Sequence, residues 1–403
     1  MINSKKKGFT IVELVIVIAV VAVLAAVLIP TFSNLVKKAN ISADQQAVVQ
    51  MNKILSVEQA SGNKPETAIQ ALNILHENGY NYSMDPYYSE YTLAWLKEEN
   101  CVVLIQNDKI VYPEQYVNVA NYNLFVAVEN DASKLQAAIE NLKAGEVLVI
   151  TEDITSTSTL SFDFANEGSY GLDFSGNTLS STHPILEDSV IGNVFKNVTE
   201  ISNGNVLLSN GSIVAKNEET NTCLYVTEAA SVTVENMIFD NEGRLGKTCV
   251  ISTACTELMT ITNCIVKGSG NAIQAYESKI VLNNVTATSK NEREDNDFQN
   301  AAIGLGTSFD LSDTSHAFVT VNGGTYSAKY FVSAFGSKPK EGYLHKLVIN
   351  DGTFNGNIFS PDYIDMKIYA GTFNVTDDAS IAKVKDSVQP GCTITLNGEK
   401  FSK

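Results

Sequence analysis

The sequence predicts a mainly β chain led by one long α-helix, and two observations carry that prediction. Residues 9–29 form an apolar run in which only Glu13 ionises, and apolar residues continue at helical spacing through Ala47, Val48, Met51, Ile54 and Leu55. From residue 206 onward, short alternating strands recur. Taking Leu208, Val234, Ile261, Leu282, Val321, Ile349 and Ile368 as equivalent, the steps are 26, 27, 21, 39, 28 and 19 residues. Two or three strands per turn of about 20–28 residues is the period of a parallel β-helix.

The amino terminus reads Lys5-Lys6-Lys7-Gly8-Phe9-Thr10-Ile11-Val12-Glu13-Leu14 and the apolar run ends at Pro30. About 20 apolar residues at helical rise cross the hydrocarbon core of a bilayer. The three lysines place the amino terminus on the cytoplasmic side by the positive-inside rule. A secretory signal would end in a small-residue cleavage site, whereas Pro30-Thr31-Phe32-Ser33 is a poor one. A plain anchor accounts for the length but not for Glu13, since a carboxylate inside a membrane segment is costly and has a partner.

This stretch resembles the leader and first helix of type IV pilins and pseudopilins: a basic leader, Gly, Phe, Thr, two apolar residues, Glu and Leu. The resemblance implies that a prepilin peptidase cuts after Gly8 and methylates the new amino terminus at Phe9. It implies that Glu13 meets the amino group of a neighbouring subunit during assembly, and that Pro30 is the helix-kinking proline of many members. The implied partners are the peptidase, other pilin subunits, the membrane, and a pilus or type II secretion-like assembly machinery.

A chain of 403 residues holds two or three domains and a sizeable core. Its formal net charge is −17, and Lys5, Lys6 and Lys7 belong to one of its few positive clusters. That balance excludes sequence-independent nucleic-acid binding, which needs clustered Lys and Arg. It also disfavours anionic lipid surfaces. Only Arg244 and Arg293 are arginines, so bidentate clamps on acidic sugars are scarce. The cysteines, Cys101, Cys223, Cys249, Cys255, Cys264 and Cys392, lack metal-type spacing and read as buried thiols, although an even count permits disulfides.

In chain order, the expected parts are the leader 1–8, the hydrophobic helix and its continuation 9–60, a small headpiece 61–116, and the β-helix 117–403. Pro65 is expected to open a second helix lined by Ile69, Leu72 and Leu75 and stopped at Asn78-Gly79. A tyrosine-rich loop containing Tyr80, Tyr82, Tyr87, Tyr88 and Tyr91 then packs on the small domain. Segments 93–96, 101–105 and 110–112 read as antiparallel strands around Trp95. Two helices followed by a small sheet match a pilin-type headpiece. Residues 131–142 carry an apolar stripe (Leu135, Ala138, Ile139, Leu142), with Ser133 as the expected cap, and read as a lid on the β-structure.

Between these strands runs a second ladder of short apolar segments at 223–226, 249–251, 272–275, 301–303, 330–332 and 358–359. Asn210, Asn236, Asn263 and Asn284 recur after the first strand of each coil, where an amide can satisfy turn backbone. Later copies instead read Gly324-Thr325-Tyr326, Gly352-Thr353-Phe354 and Gly371-Thr372-Phe373. The region resembles the pectin-lyase-like right-handed parallel β-helices, an architecture that hosts many activities.

The lyases and hydrolases of that architecture need clustered carboxylates on one face. Here the strands are nearly uncharged and His76, His183, His316 and His345 are dispersed, so no catalytic cluster and no required cofactor is expected. Acidic insertions at 289–300 and 306–316 carry Glu294, Asp295, Asp297, Asp310 and Asp313, a candidate calcium or ligand site or else solvated loops. The expected function is a prepilin-type subunit, single-pass before assembly, displaying an acidic β-helix at the cell surface or on a pilus. There it would adhere to a surface glycan or protein. The alternative is a tethered polysaccharide lyase or hydrolase.

Overall fold

The computed structural model describes residues 10–80, 84–128, 131–164, 168–181, 197–215, 222–227, 231–241, 250–254, 257–290, 300–306, 316–336 and 344–403. A single helix, α1 (Ile11–Ala60), runs through Pro30 without interruption. Proline removes the bond its nitrogen would give to the carbonyl four residues back. One position on, the Thr31 hydroxyl donates to the Val27 carbonyl at 2.9 Å, adding a bond beside the gap.

The two halves of α1 meet different surroundings. Its apolar window near the amino terminus has no side chain packed inside the protein. Its second half buries Ala47, Val48, Met51 and Leu55. Those residues pack on the second helix, α2 (Ala68–Glu77), and on an antiparallel sheet of β1 (Thr92–Leu96), β2 (Cys101–Gln106) and β3 (Lys109–Tyr112). Asn52 of α1 serves as a strand partner for β2: its amide oxygen accepts from the Val102 N–H at 2.6 Å and its nitrogen donates to the Val102 carbonyl at 2.9 Å. Asp44, 1% exposed, accepts the Tyr87 and Tyr88 N–H groups at 2.8 and 2.9 Å and ties the tyrosine loop to the helix.

Helix α2 begins at Ala68, not at Pro65. Thr67 takes the N-cap, its hydroxyl accepting from the Gln70 N–H at 3.3 Å, and a satisfied orphan donor decides the start over a preset φ. The stop is as expected, with Gly79 at φ 76°.

A strand pair switches the sheet from antiparallel to parallel. β4 (Asn123–Val128) pairs antiparallel with β1 on one side and parallel with β5 (Val147–Ile150) on the other. Between them lies α3 (Ala132–Asn141), which buries Leu135 and Ile139. Its N-cap is Asp131, which accepts the Ser133 and Lys134 N–H groups, so Ser133 is the capped residue rather than the cap. A carboxylate there also complements the helix dipole.

From β5 onward the chain winds as a parallel β-helix. One inward column runs Leu148, Leu172, Leu208, Val234, Ile261, Leu282, Val321, Ile349 and Ile368, each paired in register with the next. None is more than 1% exposed. Leu224, Ile251, Ile273, Ile303, Val332 and Ile358 form a second column in register. A third runs Leu179, Ile213, Phe239, Val266, Ala287, Tyr326, Phe354, Phe373 and Leu396. Near its end Tyr326, Phe354 and Phe373 stack with centroids 5.2 and 4.9 Å apart. Burying one such side chain is worth roughly 1.5–3 kcal/mol, and the gain recurs on successive coils along three columns.

The corner between the first and third columns is set by backbone. Asn210, Asn236, Asn263 and Asn284 all sit in the left-handed region, at φ 60, 54, 52 and 52°. Asparagine tolerates that conformation better than other residues with a side chain. Their amides reach one another instead of turn backbone: Asn236 donates to Asn210 at 3.3 Å and Asn284 to Asn263 at 2.9 Å. Coils one strand spacing apart put equivalent amides within reach, so the stack satisfies itself. On the next coil Gly323 takes the place of Asn284 and keeps the left-handed backbone, at φ 89°.

Helix α4 (Asp378–Ser387), capped by Asp377, and an antiparallel hairpin of Thr393–Leu396 with Glu399–Ser402 close the carboxyl end. Both devices blunt an exposed parallel edge. Among the described cysteines, Cys101, Cys223 and Cys264 are buried and Cys392 is partly buried. Burial pushes the Cys264 thiol up to about 12, which keeps it protonated and inert.

Candidate functional site

At the amino terminus the described chain starts with Thr10, which caps α1 in a reciprocal box. The Thr10 hydroxyl accepts from the Glu13 N–H at 3.3 Å, and Glu13 Oε2 accepts from both the Thr10 N–H and its hydroxyl at 2.8 Å. Both acceptor bonds use one carboxylate oxygen. The arrangement leaves Ile11, Val12 and Leu14 exposed at 81, 67 and 54%, so the helix tip is an apolar surface carrying one carboxylate. Pro30 lies well inside the helix. Gly8 and Phe9 lie outside the described residues, as do Glu294, Asp295, Asp297, Asp310 and Asp313. Among the described residues, no group of three His, Cys, Asp or Glu side chains could hold a metal ion.

A polar cluster that the sequence reading did not assemble lies where α2 meets the β-helix. Asp173, fully buried, accepts from the Ser175 N–H and hydroxyl at 2.7 and 2.9 Å, from the Asn210 amide at 2.7 Å, and from the Ser209 hydroxyl at 3.3 Å. From α2, His76 Nε2 approaches the same carboxylate at 3.4 Å. Burial pulls the His76 pKa down, but the hydrogen-bonding and charge effects of Asp173 outweigh it and the net shift is upward. One turn earlier, Asn73 accepts from Asn210 at 2.7 Å and donates to Glu235 at 2.9 Å. Burial is the main cause that pushes the Glu235 carboxyl up; Asn73 opposes it and the Glu77 charge reinforces it.

This cluster is built for attachment. Each Asp173 oxygen is already occupied and the group is sealed from solvent, so it cannot present a carboxylate to a substrate. The residues come from positions 73–76, 173–175, 209–210 and 235, and only the winding of the coils brings them together. The available sequence signal was the recurrent Asn210, whose neighbours were hidden.

Beside the cluster, α2 packs across Gly171, where a Cβ would stand 3.1 Å from Ile69 Cδ1. A cleft of about 410 Å³ opens there, lined by Ile69, Trp95, Tyr170, Leu207 and Thr233 among others. The Lys97–Glu66 pair at 3.5 Å bridges two of its lining residues. Trp95 and Tyr170 are only 1 and 3% exposed, so neither offers a ring face for stacking.

Comparison with known proteins agrees with the amino-terminal reading. The family described as the prokaryotic N-terminal methylation motif matches residues 3–29. No curated protein matches the chain. A solved structure of pectin methylesterase in complex with a hexasaccharide is similar at 11% identity and a TM-score of 0.42, covering 64% of this chain and 94% of that one. The fold assignment rests on the parallel register above, not on that likeness. The chain therefore carries an N-terminal methylation motif on a long apolar helix, ahead of a parallel β-helix.

Proposed function

We propose that the protein is a pilin or pseudopilin subunit cleaved after Gly8, leaving Phe9 as the methylated amino terminus. It inserts and assembles through α1 and displays its acidic β-helix outside the cell for adhesion or surface interaction. The observation that carries this reading is the division of α1 behind a methylation motif. One unbroken helix leaves its apolar first half bare and buries its second half in the headpiece. A bare apolar half needs lipid before assembly and sister helices after it.

Glu13 takes the role of partner to a neighbour's amino terminus. It holds its own Thr10 through one oxygen, which leaves a charge to pair in a medium where an unpaired one costs about 2.5–3.5 kcal/mol. The polar junction at Asp173 supports rigid display, because it binds the β-helix to the headpiece that α1 carries.

Processing gives the direct test. The peptidase must fit the residue at the cleavage position, so Gly8→Val leaves the leader attached. Mass spectrometry of the wild-type chain from cells carrying a prepilin peptidase finds a methylated Phe9 terminus, and of the variant an intact leader. A Phe9 terminus in the variant would overturn the reading.

A further inference from the structure

The third inward column has an outward counterpart that the function described so far does not use. On successive coils Thr286 pairs with Thr325, Thr325 with Thr353, Thr353 with Thr372, and Thr372 with Thr395. Two residues along each strand a second outward column pairs Thr288 with Ser327, Ser327 with Asn355, and Asn355 with Asn374. The residues between the columns, Ala287, Tyr326, Phe354 and Phe373, are wholly buried. Alternation therefore directs both flanking columns outward.

Hydrogen bonds along the axis and a packed layer beneath make this face regular and stiff. The Asn355 amide donates to the Ser327 hydroxyl at 2.8 Å and the Asn374 amide to Asn355 Oδ1 at 2.7 Å, so the second column is tied lengthwise. Beneath it lies the aromatic stack of Tyr326, Phe354 and Phe373. Neighbouring coils stand about 4.8 Å apart and the two columns about 6.6 Å apart, the spacings of any pleated parallel sheet. Toward the amino end the first column continues as Ile265 and Ile238, 38 and 39% exposed. The second continues as Lys267 and Asp240, which face each other at 4.0 Å.

Charge selects the partner. In a chain of net charge −17, both columns are free of charge from Thr286 to the carboxyl end. A cationic or anionic ligand would find no counter-charge there. A second copy would have to bring another strongly acidic chain against this one. Threonine offers a methyl and a hydroxyl at each position, which suits a surface that alternates apolar ring faces with hydroxyl edges. Repetition on every coil, at a spacing comparable to one sugar along an extended chain, suits an ordered polymer more than a single small molecule.

We propose that this threonine array is a binding face for a neutral, ordered, β-linked polysaccharide of the cellulose or chitin type, held without chemistry. The inference deepens the surface-interaction part of the proposed function by naming the class of partner. Its test does not depend on cleavage or assembly, so the two readings fail separately.

The full chain in detergent micelles, sedimented with microcrystalline cellulose or chitin particles, reads the proposal, with soluble polygalacturonate as an anionic comparator. The wild type should co-sediment with at least one particle and ignore the comparator. Thr325→Asp with Thr353→Asp should reduce retention at least tenfold, while Thr260→Asp on another face should not. Circular dichroism and protease resistance establish that each variant is folded. If the double Asp variant does not fold, Thr325→Ser with Thr353→Ser keeps the hydroxyls, removes the methyls and should still weaken retention several-fold. Absence of wild-type co-sedimentation, or equal retention by the folded variants, overturns the proposal. So do two other outcomes without polymer binding: a change of oligomeric state in the variants, which assigns the face to self-association, and loss of an effect on ice growth, which assigns it to ice.

Discussion

His76 Nε2 lies 3.4 Å from Asp173 Oδ1, joining α2, the helix that packs on α1, to one of the early coils of the β-helix. Because His76 is raised by a partner, its contribution has a definite sign. The stabilisation is fully present below the ordinary histidine pKa and is lost as pH rises through the raised folded-state value. Asp173→Asn should remove that pH dependence. It should also destabilise by about 1–3 kcal/mol, since a neutral amide cannot satisfy the donors now aimed at both oxygens. Melting temperatures of the two proteins measured from pH 5 to 8 check both points, and parallel pH profiles would refute the pairing.

Glu13→Ala should still insert into membranes, because removing a carboxylate from hydrocarbon saves about 2.5–3.5 kcal/mol. The same change should reduce incorporation into filaments, while membrane fractionation remains unchanged. Comparing membrane-bound and sheared filament pools by immunoblot measures this. Undiminished incorporation would remove Glu13 from the role of pairing group.

Phe354 is sandwiched between Tyr326 and Phe373 at the heart of the third column. Phe354→Ala should cost about 3–5 kcal/mol, because a cavity opens in a stack that the neighbouring coils hold apart. Denaturant unfolding followed by far-ultraviolet circular dichroism reads the loss, and a change under 1 kcal/mol would contradict the register.

Asn263 combines a left-handed backbone, φ 52°, with an amide that accepts from Asn284 at 2.9 Å. Asn263→Ala loses both the amide and the tolerance for that conformation, a cost of about 1–2 kcal/mol from strain alone. Asn263→Gly loses only the amide and should be the milder of the two. The order of the two midpoints in urea decides whether backbone or hydrogen bonding governs the corner.

Much of this protein was legible in the sequence because its order is local. An apolar run bounded by lysines and proline specifies a helix without reference to anything else in the chain. In a β-helix each coil stacks on the next, so residues one period apart become neighbours. The alignment of Leu208, Val234, Ile261, Leu282, Val321, Ile349 and Ile368 by pattern is the same as their pairing in space. The repeat alignment did not reach back to Leu148 and Leu172, because their strands are short and Gly171 interrupts the alternation.

What only the tertiary structure decided lies between elements. Asp173 looks like any loop-proximal carboxylate until winding sets Asn210 beside it and α2 lays His76 and Asn73 over it. The threonine array was equally hidden. Unequal steps of 39, 28 and 19 residues obscure a period that the parallel register restores, and only the pleat determines which of two alternating sets faces out. Sequence fixes neighbours along the chain, whereas surfaces and buried charges depend on which coils and helices the hydrophobic columns bring together.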